Sequence, residues 1–338
     1  MMSTVAMLVT VSVLVLVVPG LLIGFVGGLR GWLLAAAAPL VSYGVIGIAG
    51  PLLPAIGIVW SPLALVGSTL LVALLVGTAG TALGRWLPPA AAERITEEPR
   101  LRWSLRHHIA VAATVAVSIG YGVFAMGRSS RWFTAVPQWW DAIFHQNAIR
   151  FIADSGNSSP SALRMLDRPG AVHYFYPNAY HVLDATVMRL GDWSVPQVAN
   201  VGNSLIVGSF ALAMVALVRQ FSGRPALAAA TGLLCCAFTS FPFDVLVWGP
   251  LFPFTAGAAL VPASLALLSR TLNDPGQGTV AVTAVALVGL AALHPSVAIA
   301  AAIGGVAMFA QRWVTARRIP IGDLTRLGAL ALLAAVSV

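Results

Sequence analysis

The sequence contains no lysine, and charged residues of either sign are few. All 19 basic residues are arginines, there are 11 acidic residues, and only 9% of the 338 residues are charged. A soluble globular domain carries about 25% charged residues. This shortage of charge excludes an ordinary soluble enzyme. The net charge of +8 is spread between apolar segments instead of gathering on one soluble face, so we expect no nucleic-acid partner.

The signatures of several common mechanisms are also missing. The two cysteines, Cys235 and Cys236, are adjacent within an apolar run, which excludes a disulfide framework and a zinc pattern. The sequence has no P-loop, no Gly-rich dinucleotide fingerprint, no Gly-x-Ser-x-Gly elbow and no His-Glu-x-x-His motif. Chemistry driven by a bound nucleotide is therefore not expected.

Long apolar segments dominate the chain, which is 59% hydrophobic. About 20 apolar residues are needed to cross the roughly 30 Å of hydrocarbon in a bilayer, and inside it the backbone must bond to itself. The predicted fold class is therefore all-α, a polytopic transmembrane helical bundle. The nine expected spans, followed by a tenth helix from about 327, are 5–25, 32–54, 63–83, 109–127, 200–218, 225–242, 252–269, 279–293 and 296–311.

The arginines predict the orientation of these spans, because short cytoplasmic loops are enriched in positive charge. With the N-terminus outside, thirteen arginines fall on the inner side, and the short outer loops 55–62, 243–251 and 294–295 have none. The predicted localisation is the plasma membrane, with several passes through the lipid bilayer. The long segment 128–199 is then extracytoplasmic.

That long segment is the most polar part of the chain. Residues 128–199 hold six of the arginines, five of the eight aspartates and three of the six histidines. We divide the chain into 1–108, N-terminal transmembrane helices with a cytoplasmic linker, and 109–338, a transmembrane core that includes 128–199. The final apolar run, 327–338, is too short to cross a bilayer, so the core is expected to continue beyond it.

The first part of the polar segment predicts an amphipathic helix over 139–154 that lies on the membrane surface. The residues of its apolar stripe are Trp140, Phe144, Ala148 and Phe151. Asp141 and His145 are i,i+4 neighbours at the margin of this stripe, where ionisable groups tend to serve a site. The alternative is that Asp141 stabilises the first turn of the helix and that His145 is an ordinary interfacial histidine.

A second helix is expected from Asn178 to about residue 190, with His181 and Asp184 as i,i+3 neighbours. Tyr174 and Tyr176 precede it, and their rings and hydroxyls suit sugar recognition. The alternative for these tyrosines is an aromatic belt at the membrane interface. No cofactor is certain, but a divalent metal ion on Asp141 and His181, with His145 as a further ligand, is a second possibility for this region.

His294 and Pro295 interrupt a long apolar run at the predicted outer surface. A histidine at such a break is placed to meet a lipid phosphate, although it also suits a turn without further function. Asp244 and Trp248 lie in another outer loop and are candidates to border the same cavity.

These features together resemble the GT-C superfamily of integral-membrane glycosyltransferases, especially its large actinobacterial members. The resemblance covers roughly 109–311. It rests on Trp140-Asp141 after a span that runs outward, on the amphipathic helices that follow, on the stretch 176–181 and on His294-Pro295. In the superfamily the acidic loop follows the first span, whereas here it follows the fourth.

The resemblance implies an extracytoplasmic, inverting glycosyltransferase that uses a polyprenyl-phosphate-linked sugar donor. The acceptor would be a cell-envelope glycan or glycolipid, and Asp141 would be the general base or a metal ligand. His145 and His181 would complete the catalytic group. The candidate substrate-binding residues are Trp140, Tyr174, Tyr176, His294, Arg128, Arg131 and Arg168.

Two other functions compete with this one. A transporter or flippase of lipid-linked glycans predicts charged residues inside the spans, facing a cavity, and the predicted spans contain almost none. A non-catalytic envelope scaffold predicts that Asp141 and His181 lie apart, each with its own partners.

Overall fold

The computed structural model describes residues 2–86, 102–221, 223–273, 276–317 and 321–336. In this part of the chain 81% of the residues are helical and none lies in a strand, which confirms the predicted all-α class. Most of the predicted linker, residues 87–101, lies outside the described residues.

The helices follow the predicted spans closely, with the polar segment folded into shorter helices between α4 and α8. The first set is α1 Met2–Val26, α2 Gly31–Ala55, α3 Pro62–Trp86, α4 Leu105–Ser129, α5 Trp140–Ser155, α6 Arg164–Asp167 and α7 Ala179–Met188. The second set is α8 Val195–Phe221, α9 Pro225–Leu234, α10 Val245–Val247, α11 Phe252–Asn273, α12 Gln277–Leu293, α13 Pro295–Ala316 and α14 Ile321–Val336. A 3-10 turn at Pro160–Leu163 precedes α6, and a π-helical turn at Thr239–Asp244 precedes α10.

Seven of these helices are long and apolar enough to cross a membrane, or eight if one bent pair counts as a single span. The bent pair is the predicted sixth span, which breaks between Leu234 and Thr239 with a bend of 40°. The predicted eighth span, Gly278–Leu293, is a shorter apolar helix. By the length and composition of its helices, the protein is a multi-pass membrane protein.

Helix α2 forms the centre of the bundle, packed against α1 and α12. Glycines allow the close approach of its backbone to both neighbours. A methyl group on Gly20 of α1 would lie 1.9 Å from the Ala38 carbonyl oxygen, and one on Gly289 of α12 would lie 2.4 Å from that of Leu40. The small residues therefore determine how tightly these helices pack, as is common between membrane helices.

Gly289→Ala is expected to destabilise the bundle by about 1–3 kcal/mol, because the added methyl group forces α2 and α12 apart. Thermal unfolding in detergent measures the effect. Gly67→Ala is the matched control, since a methyl group at Gly67 of α3 would meet nothing within 4 Å. An unfolding temperature of the Gly289 variant equal to that of the control would contradict this account of the packing.

The interhelical connections gather at two ends of the bundle. At one end, the backbone N–H of Trp60 donates to the Gly156 carbonyl at 2.8 Å. The Trp139 and Trp248 rings stack there with centroids 6.2 Å apart. We call this the histidine end, after His145, His181 and His294.

The other end holds the inner loops of the predicted topology. Trp103 Nε1 donates to the Gly223 carbonyl at 2.7 Å, joining the start of α4 to the turn between α8 and α9. We call this the arginine end, after Arg30, Arg219 and Arg270, which share a cavity there. The loops are thus sorted between the two ends as the arginine pattern predicts, while the compartment that each end faces stays a prediction.

Candidate functional site

Helix α5 carries Asp141 and His145, and it packs through a different face from the one predicted. The buried residues of α5 are Ala142, His145, Ala148, Ile149 and Ile152. Trp140 is 88% exposed and Phe144 and Phe151 are partly buried, so only Ala148 of the predicted apolar stripe is fully buried within the protein. The two alanines on the buried face let α5 approach α7 closely, which a tryptophan at the contact would prevent. His145, in contrast, faces inward with only 3% of its surface exposed.

Helix α7 brings the second group of ionisable side chains into the bundle. All of its residues from Ala179 to Val187 are buried, and it contacts α1, α2, α5, α8, α11 and α12. It is therefore an interior helix, not one of the amphipathic surface helices that the resemblance implies. Asn178 anchors its start, since its Nδ2 donates to the Ser158 carbonyl at 2.9 Å. His181 and Asp184, at 0% and 2% exposure, are carried into the interior.

His145 and His181 face each other directly. The distance from His145 Nδ1 to His181 Nε2 is 2.8 Å, a hydrogen bond in which one ring donates and the other accepts. Four aromatic rings surround the pair, with centroids between 5.3 and 6.0 Å from those of the imidazoles: Phe144, Tyr176, Tyr180 and Phe252. Residues 36 positions apart in the sequence thus form one buried imidazole pair.

Burial keeps this pair uncharged. Burial, together with a smaller contribution from the charge of His294, lowers the pKa of His145 from 6.5 to about 3. Burial lowers the pKa of His181 well below its usual range, with His145 contributing in the same direction. Both rings are therefore neutral near pH 7, so they supply hydrogen bonds but no positive charge.

The pH dependence of stability follows from these shifts. An unfolded His145 takes up a proton near pH 6.5, whereas the folded one does so only near 3. The stability that it contributes is present above pH 6.5 and is lost as the pH falls from 6.5 towards 3. We expect the unfolding temperature to drop between pH 7 and pH 5, and to drop less in His145→Phe. Equal drops in the two proteins would contradict the buried neutral state of His145.

Asp141 lies at the exposed mouth of this site. It is in the first turn of α5, one turn before His145. Burial raises the pKa of Tyr176 to about 12, and the charges of Asp141 and Asp167 raise it as well. The charge of Asp141 thus acts on Tyr176, whose ring packs on both His181 and Phe144.

His294 approaches the site from the break between α12 and α13. Its Nδ1 lies 2.8 Å from the Ser296 Oγ, and its side chain caps α13. Its ring centroid is 5.5 Å from that of Phe254. Burial lowers the pKa of His294. His294 therefore caps α13 and also lies close enough to His145 to affect the pKa of that imidazole.

A cavity of about 850 Å³ lies beside the site, between the C-terminal end of α2 and the segment 157–175. Its polar and aromatic lining residues are Asn157, Ser159, Ser161, Arg164, His173, Tyr174 and Phe175, and its apolar wall includes Pro51 and Pro54. The Arg164 Nε is buried without a hydrogen-bond partner. Tyr174 lines the cavity, and Tyr176, two residues later, packs on His181 with ring centroids 5.7 Å apart, so the cavity and the imidazole pair are neighbours.

The three predicted arginines are less involved than expected. Arg128 and Arg131 are exposed beyond the imidazole pair, at the end of α4. Arg168 is exposed and lies 3.7 Å from the Asp167 carboxylate. The arginine that lines the cavity is Arg164, which the sequence analysis did not select. Its Nη1 donates to the Ala171 carbonyl at 3.0 Å and closes the loop around α6.

Asp184 is a second residue that the sequence analysis underrated. Its carboxylate packs against Gly202 of α8, where a methyl group would lie 2.9 Å from Oδ1, and its Oδ2 has no hydrogen-bond partner. Burial raises the pKa of Asp184 well above its usual range, because the charged carboxylate loses its hydration. Its i,i+3 relation to His181 was the available signal. The contact of Asp184 with Gly202 joins two different helices, so no local sequence pattern predicts it.

Metal ligation receives no support from the described residues. Among them, no group of three or more His, Cys, Asp or Glu side chains is placed to hold a metal ion. His181 Nε2, the nitrogen that faces His145, is already hydrogen-bonded to His145 Nδ1 and is not free to bind a metal ion between the two rings. The metal site on Asp141 and His181 stays a prediction.

The apolar helices and the polar site at one end of the bundle define a multi-pass membrane protein with a candidate site outside its spans. The chain belongs to a family of unknown function, DUF6541, whose sequence profile matches residues 13–338. No curated protein matches the sequence. No solved structure matches it either.

Proposed function

We propose that the protein is an extracytoplasmic glycosyltransferase, which transfers a sugar from a polyprenyl-phosphate donor to a cell-envelope glycan or glycolipid. The observation that carries this proposal is the buried His145–His181 pair at one end of the bundle, with Asp141 one turn before His145 on α5, Tyr176 packed on His181, and a large polar and aromatic cavity lined by Tyr174. A lipid-linked donor suits this end because the short loops there lack arginine, as outer loops do.

Asp141 acts as the general base in this proposal. It takes the proton of an acceptor hydroxyl, and the acceptor oxygen attacks the anomeric carbon of the donor sugar. The bond from that carbon to the lipid phosphate oxygen breaks, and the phosphate leaves with the electron pair. An exposed carboxylate at the mouth of the site is accessible to a hydroxyl of a large acceptor, which a buried one is not.

The neutral imidazole pair positions groups instead of carrying charge. A ring whose proton is fixed by a 2.8 Å hydrogen bond to its partner presents its remaining nitrogen in a defined direction. The Phe144, Tyr176 and Phe252 rings around the pair limit its motion further. This rigidity suits the alignment of a hydroxyl for transfer.

The cavity beside the pair is the proposed binding site for the glycan. Sugar C–H faces pack on aromatic rings, here Tyr174 and Phe175, while hydroxyl and amide groups exchange hydrogen bonds with Ser159 and Asn157. Arg164 adds a cation whose Nε lacks a partner, and a guanidinium binds phosphate well. Arg164 therefore takes the phosphate-binding role for which the sequence suggested Arg128, Arg131 and Arg168.

A transporter of lipid-linked glycans is the second candidate, and one observation favours it. Asp184 and His181 are ionisable groups buried inside the bundle, although α7 is not a membrane span. Proton-coupled carriers place such residues on their substrate path. A carrier moves its lipid-linked substrate unchanged, whereas a transferase consumes it, so the chemical fate of the substrate separates the two candidates.

Deletion of the gene in its native host tests the proposal. Mass spectrometry of the lipid extract should show one polyprenyl-phosphate sugar accumulating, and the envelope should lose the corresponding residue. Expression of the wild-type protein should reverse both changes. An unchanged envelope together with an unchanged lipid pool would contradict a transferase.

A further inference from the structure

Two exposed tryptophans form a stacked pair at the histidine end of the bundle. Trp139 lies at the N-cap of α5, and Trp248 lies at the C-cap of α10, in the short loop that leads to α11. Their ring planes are inclined by only 27°, with centroids 6.2 Å apart. Both residues stay largely accessible, with 57% of Trp139 and 76% of Trp248 exposed. Large apolar side chains that are exposed together mark a binding surface more often than single ones do.

The backbone fixes both tryptophans in these positions. Trp139 has a φ of 79°, which a bulky residue adopts only when its surroundings hold it there. Its carbonyl accepts the N–H of Ile143 at 3.1 Å and so begins α5. The Trp248 N–H donates to the Asp244 carbonyl at 2.8 Å, at the end of α10. The pair therefore has a fixed position relative to Asp141, which follows Trp139 by two residues in the first turn of α5.

The charged side chains on the two segments that carry the pair are acidic. In residues 136–147 and 244–251 the Asp, Glu and Arg residues are Asp141 and Asp244 alone, and both are exposed. Asp244 precedes Trp248 by four residues, which places the two on the same side of a helical turn. Carboxylates repel the phosphate of a lipid headgroup, whereas they accept hydrogen bonds from hydroxyl groups. The surroundings of the pair therefore suit a neutral ligand rich in hydroxyls.

We propose that the Trp139–Trp248 pair is a binding platform for a neutral glycan, which serves as a subsite for the acceptor. The face of an aromatic ring is negative, so it attracts the weakly positive C–H groups of a sugar, and the nearby carboxylates accept hydrogen bonds from its hydroxyls. Neither tryptophan lines the cavity beside the imidazole pair, so the platform adds a subsite to that cavity. The inference rests on the proposed function, since an acceptor that reaches Asp141 passes close to Trp139.

Binding of host glycans to the full-length protein tests the platform without any donor. Oligosaccharides are released from the host envelope by mild acid and are separated by ion exchange into a neutral and an anionic fraction. Saturation-transfer NMR then measures the dissociation constant of each fraction with the protein in phosphatidylcholine nanodiscs. We expect saturable binding of the neutral fraction, about tenfold tighter than that of the anionic fraction. No binding of the neutral fraction, or a preference for the anionic one, would overturn the proposal.

Substitutions then locate the binding. The double variant Trp139→Ala, Trp248→Ala should weaken binding of the neutral fraction by about tenfold or more, because tryptophans contribute a large share of the energy at binding surfaces. Trp313→Ala is the matched control, since Trp313 is 46% exposed near the C-terminal end of α13, away from the pair. Equal affinities of the double variant and the control would contradict the assignment. If the double variant does not fold, Trp248→Ala alone serves the same comparison.

The same variants test whether the pair instead belongs to an aromatic belt in the membrane. Phosphatidylcholine brominated on its acyl chains quenches the fluorescence of tryptophans that lie in lipid. The account predicts that such nanodiscs quench the wild-type protein and the double variant by the same absolute amount. Less quenching in the double variant would place the pair in the bilayer and overturn the proposal. Glycan binding at the pair with every donor left intact would contradict the proposed transfer alone, whereas transfer without binding at the pair would contradict the platform alone.

Discussion

Replacing Asp141 by asparagine is expected to lower the rate of sugar transfer by about 10²–10⁴-fold, the usual contribution of a general base. Asparagine keeps the size and the hydrogen-bonding shape of the side chain but does not take up a proton. Asp141 is exposed, so its loss should leave folding and membrane insertion intact. The rate of transfer and the unfolding temperature are measured on the same preparation.

Asp154→Asn is the matched control for this experiment. Asp154 is exposed on the same helix, and its carboxylate is paired with Arg150 at 2.6 Å. An exposed ion pair of this kind contributes little to stability, so the control should keep wild-type transfer. Wild-type turnover by Asp141→Asn would remove the catalytic role. An equal loss in both variants would show that α5 is sensitive to charge in general.

The second large effect is expected at the imidazole pair, where stability and activity should respond differently. His145→Phe or His181→Phe alone leaves a buried nitrogen of the other ring without its partner, which costs about 1–3 kcal/mol. The double variant removes both polar groups, so it should recover most of the lost stability. Transfer should stay low in all three variants, because the positioning hydrogen bonds are missing from each.

This comparison separates a functional pair from a structural one. Thermal unfolding of the four proteins gives the coupling energy, and the transfer assay gives the activity of each. Recovery of activity together with stability in the double variant would show that the pair serves folding alone. Additive losses of stability would contradict the direct hydrogen bond between His145 and His181.

The sequence predicts the long helices well, because each requires only a run of apolar residues. Predicted span 32–54 corresponds to α2 at Gly31–Ala55, and predicted helix 139–154 corresponds to α5 at Trp140–Ser155. The pair of Asp141 and His145 was also visible, since i,i+4 spacing is a local property. The predicted seventh span, α11, has 22 residues and is long enough to cross a membrane. The predicted eighth span, α12, has only 17 residues and is a shorter apolar helix.

Tertiary contacts account for what the sequence does not predict. The apolar stripe of α5 contains both large and small residues, and only contact with α7 decides that Ala148 is buried and Trp140 exposed. The burial of α7 depends on five other long helices that enclose it together with α5. Arg164 acquires its role from a cavity whose opposite wall is the end of α2, more than a hundred residues earlier in the chain.

Transfer by the purified protein is the most direct measurement of the central claim. Proteoliposomes that contain the protein are supplied with a panel of radiolabelled polyprenyl-phosphate monosaccharides and with an envelope glycan extract. The account predicts that label from one donor moves to the glycan fraction, that free polyprenyl phosphate appears in equal amount, and that Asp141→Asn does neither. If every donor in the panel is recovered intact from proteoliposomes that contain folded wild-type protein, the claim of a glycosyltransferase site at the histidine end is contradicted.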